Sequence, residues 1–328
     1  SRHLLVRPPG SSAFRSRDKG LPQSGDFGAL ALGREGRLFV PTGLGLAFRN
    51  ERRWRLIGAS QGLLTDDTSC LLQDREGSMW IGSRGAGLAR WLGYKEWESW
   101  TEHEGLSSDV VWTMRRDPSG ALWVGTNQGL NRLSPDHRQW KAWRESDGLG
   151  GDRVRAVAVG PQGEIWAGSN PGGISRLDPR TGRVRHFGAA SGLADERVFT
   201  LLLDRQKRLW AATRGGLFRS APGPAMRFER QLPPGTDSNE MFFQCLEDRA
   251  SRVWVAGSRG LARWENGAWT RFTTNDGLRH NYVAYLAETP DESLWIGYRE
   301  ALGLSRLRFR PGGFEAQHVS GRDGLRSE

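Results

Sequence analysis

The chain has 328 residues, enough for one large domain or two ordinary ones, and 44 of them are glycine. A hydrophobic share of only 37% together with that much glycine suits short strands joined by tight turns, and argues against thick helices around one core. The formal charge of +10 comes from 43 Arg and four Lys interleaved with Asp and Glu, with no basic tail, zinc-finger spacing or aromatic RNA-binding signature, which argues against a nucleic-acid partner.

No stretch approaches the ~18 consecutive apolar residues of a membrane helix. The sequence lacks a starting Met and a signal-peptide pattern, so any signal peptide is expected to lie outside it. Residues 1–20 read as a flank, in which Ala13–Arg17 resembles a strand running into Lys19-Gly20-Leu21. From there an internal repeat organises the chain. Phe39, Trp80, Trp123, Trp166, Trp210, Trp254 and Trp295 each follow an apolar residue, at intervals of 41 to 44 residues. Two positions after each stands Pro41, Gly82, Gly125, Gly168, Ala212, Ala256 or Gly297. In a strand those positions share a face, so an indole beside a small residue lets a neighbouring sheet approach. Then comes a Gly-Leu or Gly-Ile step, followed two residues later by Arg90, Arg132, Arg176, Arg219, Arg263 or Arg306. A further Gly-Leu ends each unit except the one with Pro233-Pro234-Gly235.

Each unit predicts four strands. In the third unit these are Val110–Arg116, Ala121–Thr126, Gly129–Leu133 and Gln139–Arg144, with Asp117-Pro118-Ser119-Gly120 as the first turn. The first strand is apolar on both faces, as in a strand covered from two sides. The expected fold is all-β, a seven-bladed β-propeller of four-stranded antiparallel blades over residues 21–325. Blade boundaries fall at about 21–62, 63–105, 106–148, 149–191, 192–235, 236–277 and 278–325. Either Ala13–Arg17 or Phe314–Val319 supplies the strand that closes the ring. Cys70 and Cys245 occupy nearly matching places in two repeats and read as small buried residues. The tryptophans of the fourth strands, among them Trp100, Trp140, Trp143 and Trp269, read as blade-to-blade packing.

Function is expected in the loops at one end. The loops entering the first strands carry Asp109, Arg153, Arg197, Glu240, His280 and Tyr282. Those between the second and third strands carry Arg84, Asn127, Gln128, Asn170, Arg214, Arg259, Tyr298 and Arg299. An amide- and Arg-rich mouth of this kind suits a carbohydrate or an anionic ligand; the same charges could instead pair around the rim. The six histidines show no metal-ligand spacing, and no phosphate loop, dinucleotide fingerprint or nucleophile elbow is present, so no cofactor, metal or catalysis is expected. The competing readings are an enzyme, similar to streptogramin lyases, with His280 as base and Glu240 beside it, and a passive protein-interaction scaffold.

Asp117-Pro118-Ser119-Gly120-Ala121-Leu122-Trp123-Val124-Gly125-Thr126, then Gly129-Leu130-Asn131-Arg132 and Asp147-Gly148-Leu149, resembles the two-component regulator propeller repeat. Lys19-Gly20-Leu21-Pro22-Gln23 is similar to the entry of such ectodomains. The resemblance implies a periplasmic sensor region of an inner-membrane receptor, with a histidine kinase or diguanylate cyclase output elsewhere. It also implies small-molecule or oligosaccharide ligands, and adjacent receptor domains or a second copy of the full-length protein as partners. The family has no fixed ligand motif, so no binding residue carries over.

Overall fold

A computed structural model describes residues 5–6, 15–16, 31–32, 38–42, 45–50, 53–59 and 62–319, apart from 66, 75, 94–95, 222–225, 290, 299–303 and 311–312. Seven four-stranded antiparallel sheets succeed one another along the chain, each in simple order of sequence. They are the blades of a β-propeller. Blades one to three belong to one compact unit and blades four to seven to a second, residues 145–319. Their first strands are Ala31–Leu32, Thr68–Gln73, Val111–Arg116, Val154–Val159, Val198–Leu203, Phe242–Glu247 and Val283–Glu288. In blade three the observed strands are Val111–Arg116, Leu122–Thr126, Gly129–Leu133 and Trp140–Trp143, within a residue of the expected ends. Gly313–Val319 pairs with Leu304–Arg310 and is the fourth strand of blade seven. Arg15–Ser16 pairs instead with Leu5–Val6 in a small hairpin. No described helix is long and apolar enough to cross a membrane.

The repeat columns are explained by packing inside each blade. Trp80, Trp123, Trp210 and Trp254 are fully buried. Across the second and third strands each lies directly opposite the Arg of its own repeat: Trp80–Arg90, Trp123–Arg132, Trp210–Arg219 and Trp254–Arg263, and likewise Trp166–Arg176 and Trp295–Arg306. All six guanidinium carbons stand 5.3 to 5.9 Å from their indole centroid. A cation over the electron-rich face of Trp is favourable, so this column of arginines serves the blades themselves.

The turn aspartate holds the other side of the indole. Asp74, Asp117, Asp204 and Asp248 accept from the Trp Nε1 six residues on at 2.9, 2.8, 2.8 and 2.7 Å. The same carboxylates cap their own turns, accepting from Ser78, Ser119, Arg208 and Arg252 backbone N–H. This is the reason for Asp at the head of Asp-x-x-Gly. The small column behaves as expected too: a Cβ at Gly82 would lie 2.8 Å from Val111 Cγ1 of the next blade, and one at Gly168 would lie 2.6 Å from Val198 Cγ1.

The fourth-strand tryptophans stack mainly within their own blade, Trp100 on Trp80 at 5.2 Å and Trp143 on Trp123 at 5.4 Å. Contacts between blades also occur, Trp100 with Trp140 and Trp269 with Trp210. Both cysteines are free thiols, and burial pushes Cys70 up to about 11 and Cys245 further in the same direction.

Candidate functional site

In blades two to six the two sets of loops meet at one end of the blade through a repeated backbone bond. Arg84, Asn127, Asn170, Arg214 and Ser258 donate their N–H to the carbonyls of Asp67, Val110, Arg153, Arg197 and Met241, at 2.9 to 3.1 Å. Before the entry loops of blades three, four, five and seven the chain makes a feature that the repeat pattern did not announce, a one-turn 3-10 helix. These span Glu102–Glu104, Glu145–Asp147, Ala189–Ser191 and Thr274–Asp276. Gly105, Gly192 and Gly277 end three of them with φ of 102°, 89° and 106°, in the left-handed region open to glycine. The Gly-Leu column thus marks a helix stop, and its leucines, Leu106, Leu149, Leu193 and Leu278, are buried below it.

The entry-loop acids hold these turns. Asp109, Asp152 and Glu196 accept the backbone N–H seven residues earlier, from Glu102, Glu145 and Ala189, at 2.9, 2.7 and 2.9 Å. Asn281 does the same for Thr274 at 2.8 Å. Glu240 sits in the same column of blade six, where the turn is missing. Its fully buried carboxylate is held instead by Arg271 of the fourth strand, Nη1 to Oε1 at 2.6 Å and Nη2 to Oε2 at 2.9 Å. Arg271 also reaches Thr236 Oγ1 and the Arg259 carbonyl.

The remaining expected residues divide by partner. Asn127 Oδ1 accepts from Trp112 Nε1 at 2.8 Å, and the Gln128 carbonyl accepts from Arg144. Arg84 pairs with Asp67 on the surface at 3.3 Å, Arg197 with Asp195, and Arg259 with Asp237. The Arg197 guanidinium is held above its usual range by the Asp195 carboxylate. Arg153 and Arg214 are exposed and have no acidic partner among the described residues. Asn170 precedes Pro171 across a cis peptide. Tyr298 is buried; its hydroxyl accepts from Arg279 N–H at 3.1 Å and meets Ser305 Oγ at 2.8 Å, and burial raises its pKa. Ser305 Oγ in turn lies 2.7 Å from His318 Nδ1. His280 Nδ1 accepts from Tyr282 N–H at 3.0 Å. With both Glu240 oxygens on Arg271, the acid–base couple of His280 and Glu240 is not assembled. Arg299 lies outside the described residues.

Sequence reasoning missed a column one step inside the first strands. In blades two to seven the register slips at the second residue of that strand, which makes Ser69, Trp112, Arg155, Phe199, Phe243 and Ala284 the extra residue of a β-bulge. Simple alternation counted from Val110 therefore fails at Trp112. In the second unit three members of this column form a row across neighbouring first strands, extended by Tyr282 of the last entry loop. Arg155 Cζ lies 5.5 Å from the Phe199 centroid, Phe199 lies 5.9 Å from Phe243, and Phe243 stacks on Tyr282 at 5.0 Å. The available signal was a column of changing residue type placed directly after a buried Val or Phe. Among the described residues no group of three His, Cys, Asp or Glu is placed to hold a metal.

The two-component regulator propeller model matches residues 62–85 and 105–128. No curated protein matches the chain by sequence. Among solved structures the chain is similar to the extracellular domain of a hybrid two-component system of B. thetaiotaomicron, at 16% identity and a TM-score of 0.71, covering 84% of this chain and 38% of that one. It is similar to a streptogramin B lyase, at 14% identity and 0.65, over 85% and 92% of the two chains. It also resembles PorZ, a surface component of the type-IX secretion system of Porphyromonas gingivalis, at 15% identity and 0.64, over 99% and 59%. At these identities the likeness is one of fold, and the chain spans well under half of the first of these proteins.

Proposed function

We propose that this chain, a propeller carrying two-component regulator propeller repeats, is a ligand-sensing region on the extracytoplasmic side of a bacterial membrane receptor. The observation that carries the reading is the pair of matched repeats, together with the fold shared with the extracellular domain of a hybrid two-component system. The loop end supplies what such a role needs. Cap and pair contacts hold the loops, leaving Arg153 and Arg214 as exposed cations suited to a carbohydrate or anionic ligand. Binding would act by differential affinity, favouring one of two receptor states and changing the contact with an adjacent domain or a second copy.

The test has two parts. A phosphatase fusion to the full-length gene product is expected to report export of this region. A thermal-shift screen of oligosaccharides and anionic metabolites is expected to yield a stabilising ligand whose effect falls in Arg214→Gln. A cytoplasmic location, or a gene product with neither a membrane segment nor a transmitter, refutes the receptor reading. The alternative, an enzyme with His280 as base, shares only its fold with a streptogramin B lyase. It requires that His280→Ala abolish turnover of a lactone or glycan substrate.

A further inference from the structure

The row of bulge side chains in the second unit has a specific chemical character. The first strands of blades four, five and six lie side by side, so Phe199 stands between Arg155 and Phe243, and Phe243 between Phe199 and Tyr282 of the entry loop of blade seven. Each phenyl face therefore looks onto a neighbour: a guanidinium at 5.5 Å, a ring tilted by 37°, and a ring nearly parallel at 24°. Phe199 and Phe243 are nonetheless partly exposed, and with their faces covered it is their edges that meet solvent. A sugar ring stacks on an open aromatic face. An aromatic edge carries the positive end of the ring quadrupole and accepts the π-face of another aromatic group in a T-shaped contact.

Cations flank the row at the same end. Arg153 lies two residues before Arg155, and Arg214 donates its backbone N–H to Arg197, two residues before Phe199. Both are exposed and have no acidic partner among the described residues, whereas Arg197 and Arg259 are neutralised by Asp195 and Asp237. We infer that this end of the second unit binds a planar aromatic compound bearing an anionic group. Its ring lies against the edges of Phe199 and Phe243, and its charge is met by Arg153 and Arg214. The inference rests on the ligand-sensing reading and narrows its ligand class.

Calorimetric titration of the chain with 4-hydroxybenzoate, cyclohexanecarboxylate and glucuronate tests it. The three share a carboxylate, but only the first has a π-face. 4-Hydroxybenzoate is expected to bind about fivefold to tenfold more tightly than cyclohexanecarboxylate. Phe243→Leu is expected to erase that preference, and Arg214→Gln, on an exposed loop where folding is not at stake, to weaken both acids alike. Equal or tighter binding of cyclohexanecarboxylate or glucuronate overturns the inference, as does no binding of 4-hydroxybenzoate at millimolar concentration or an unchanged preference in folded Phe243→Leu. Glucuronate binding tighter than that of 4-hydroxybenzoate removes the aromatic ligand while leaving the sensing reading intact; that reading falls separately, by the export assay.

Discussion

Blade four lacks the aspartate that its neighbours use, and restoring it measures what that residue contributes. Gly160 stands where blades two, three, five and six have Asp74, Asp117, Asp204 and Asp248, and the buried Trp166 Nε1 has no hydrogen-bond partner. An orphaned buried donor costs about 1–3 kcal/mol, and a charge-assisted bond contributes at the upper end of the usual range. A side chain at Gly160 would fall on the Glu164 carboxylate. The matching positions in blades five and six are Arg208 and Arg252, whose Nε binds the turn aspartate at 2.6 Å. Gly160→Asp with Glu164→Arg therefore rebuilds the neighbouring arrangement, in a glycine that does not sit in the left-handed region. The double variant is expected to be about 1–2 kcal/mol more stable in urea denaturation, after losing the Glu164 bond to Gln162 N–H. Tryptophan-to-phenylalanine changes provide the internal control. Trp166→Phe in the natural chain deletes an N–H that bonds nothing, whereas Trp210→Phe removes a buried bond to the Asp204 carboxylate, so the second should cost about 1–3 kcal/mol more. Equal costs for the two, or no gain from the double variant, would refute the account of this column.

Gly168→Ala places a methyl 2.6 Å from Val198 Cγ1 of the next blade and 3.2 Å from Ala156 Cβ, and denaturation should show a loss of about 1–3 kcal/mol. Glu240→Gln leaves the Arg271 guanidinium, 8% exposed, without its counter-charge, and should cost about 3–5 kcal/mol; Glu240→Gln with Arg271→Met should recover most of it. The His137 pKa is lowered by burial and then by Arg90 and Arg116, against the opposing pull of Glu98 and Asp74. A lowered folded value means that its contribution is complete above the ordinary imidazole value of about 6.5 and is lost as pH falls below it. Stability measured from pH 7.5 to 5 should therefore decline less in His137→Asn, which tolerates the φ of 58° at this position.

Much of the fold was legible because each blade repeats the same physical problem. A Trp needs a small residue on its own face, a cation across the ladder and an acceptor in the turn, and each need leaves a column at a fixed offset. The columns predict strands, turns and blade number without any contact being known. Partners are another matter. That Arg132 covers Trp123 follows from cross-strand register, and the Asp117 bond to the same indole follows from the fold of the turn. The 3-10 turns were readable in principle, since Thr101 to Glu104 and Thr273 to Asp276 form capping boxes, yet they lie in stretches that also continue a strand pattern. Glu240 and Arg271 are 31 residues apart, and only the missing turn in blade six redirects one to the other.

Specificity resides where blade packing leaves a residue free to change. A column that packs blades cannot vary freely: changing Gly168 or Asp248 disturbs a contact fixed by the neighbouring sheet or by the buried indole. The bulge column escapes this constraint, because the extra residue of a bulge has no opposite partner in its ladder. It holds Ser69, Trp112, Arg155, Phe199, Phe243 and Ala284, a hydroxyl, an indole, a cation, two phenyl rings and a methyl at equivalent backbone positions. Entry-loop residues such as Asp109 and Glu196, polar as they are, are occupied in holding their own turns. A binding surface can therefore change through the bulge residues and the unpaired loop arginines while every blade keeps its packing. For this reason Phe243 and Arg214 are more informative substitutions for ligand recognition than the acidic residues of the entry loops.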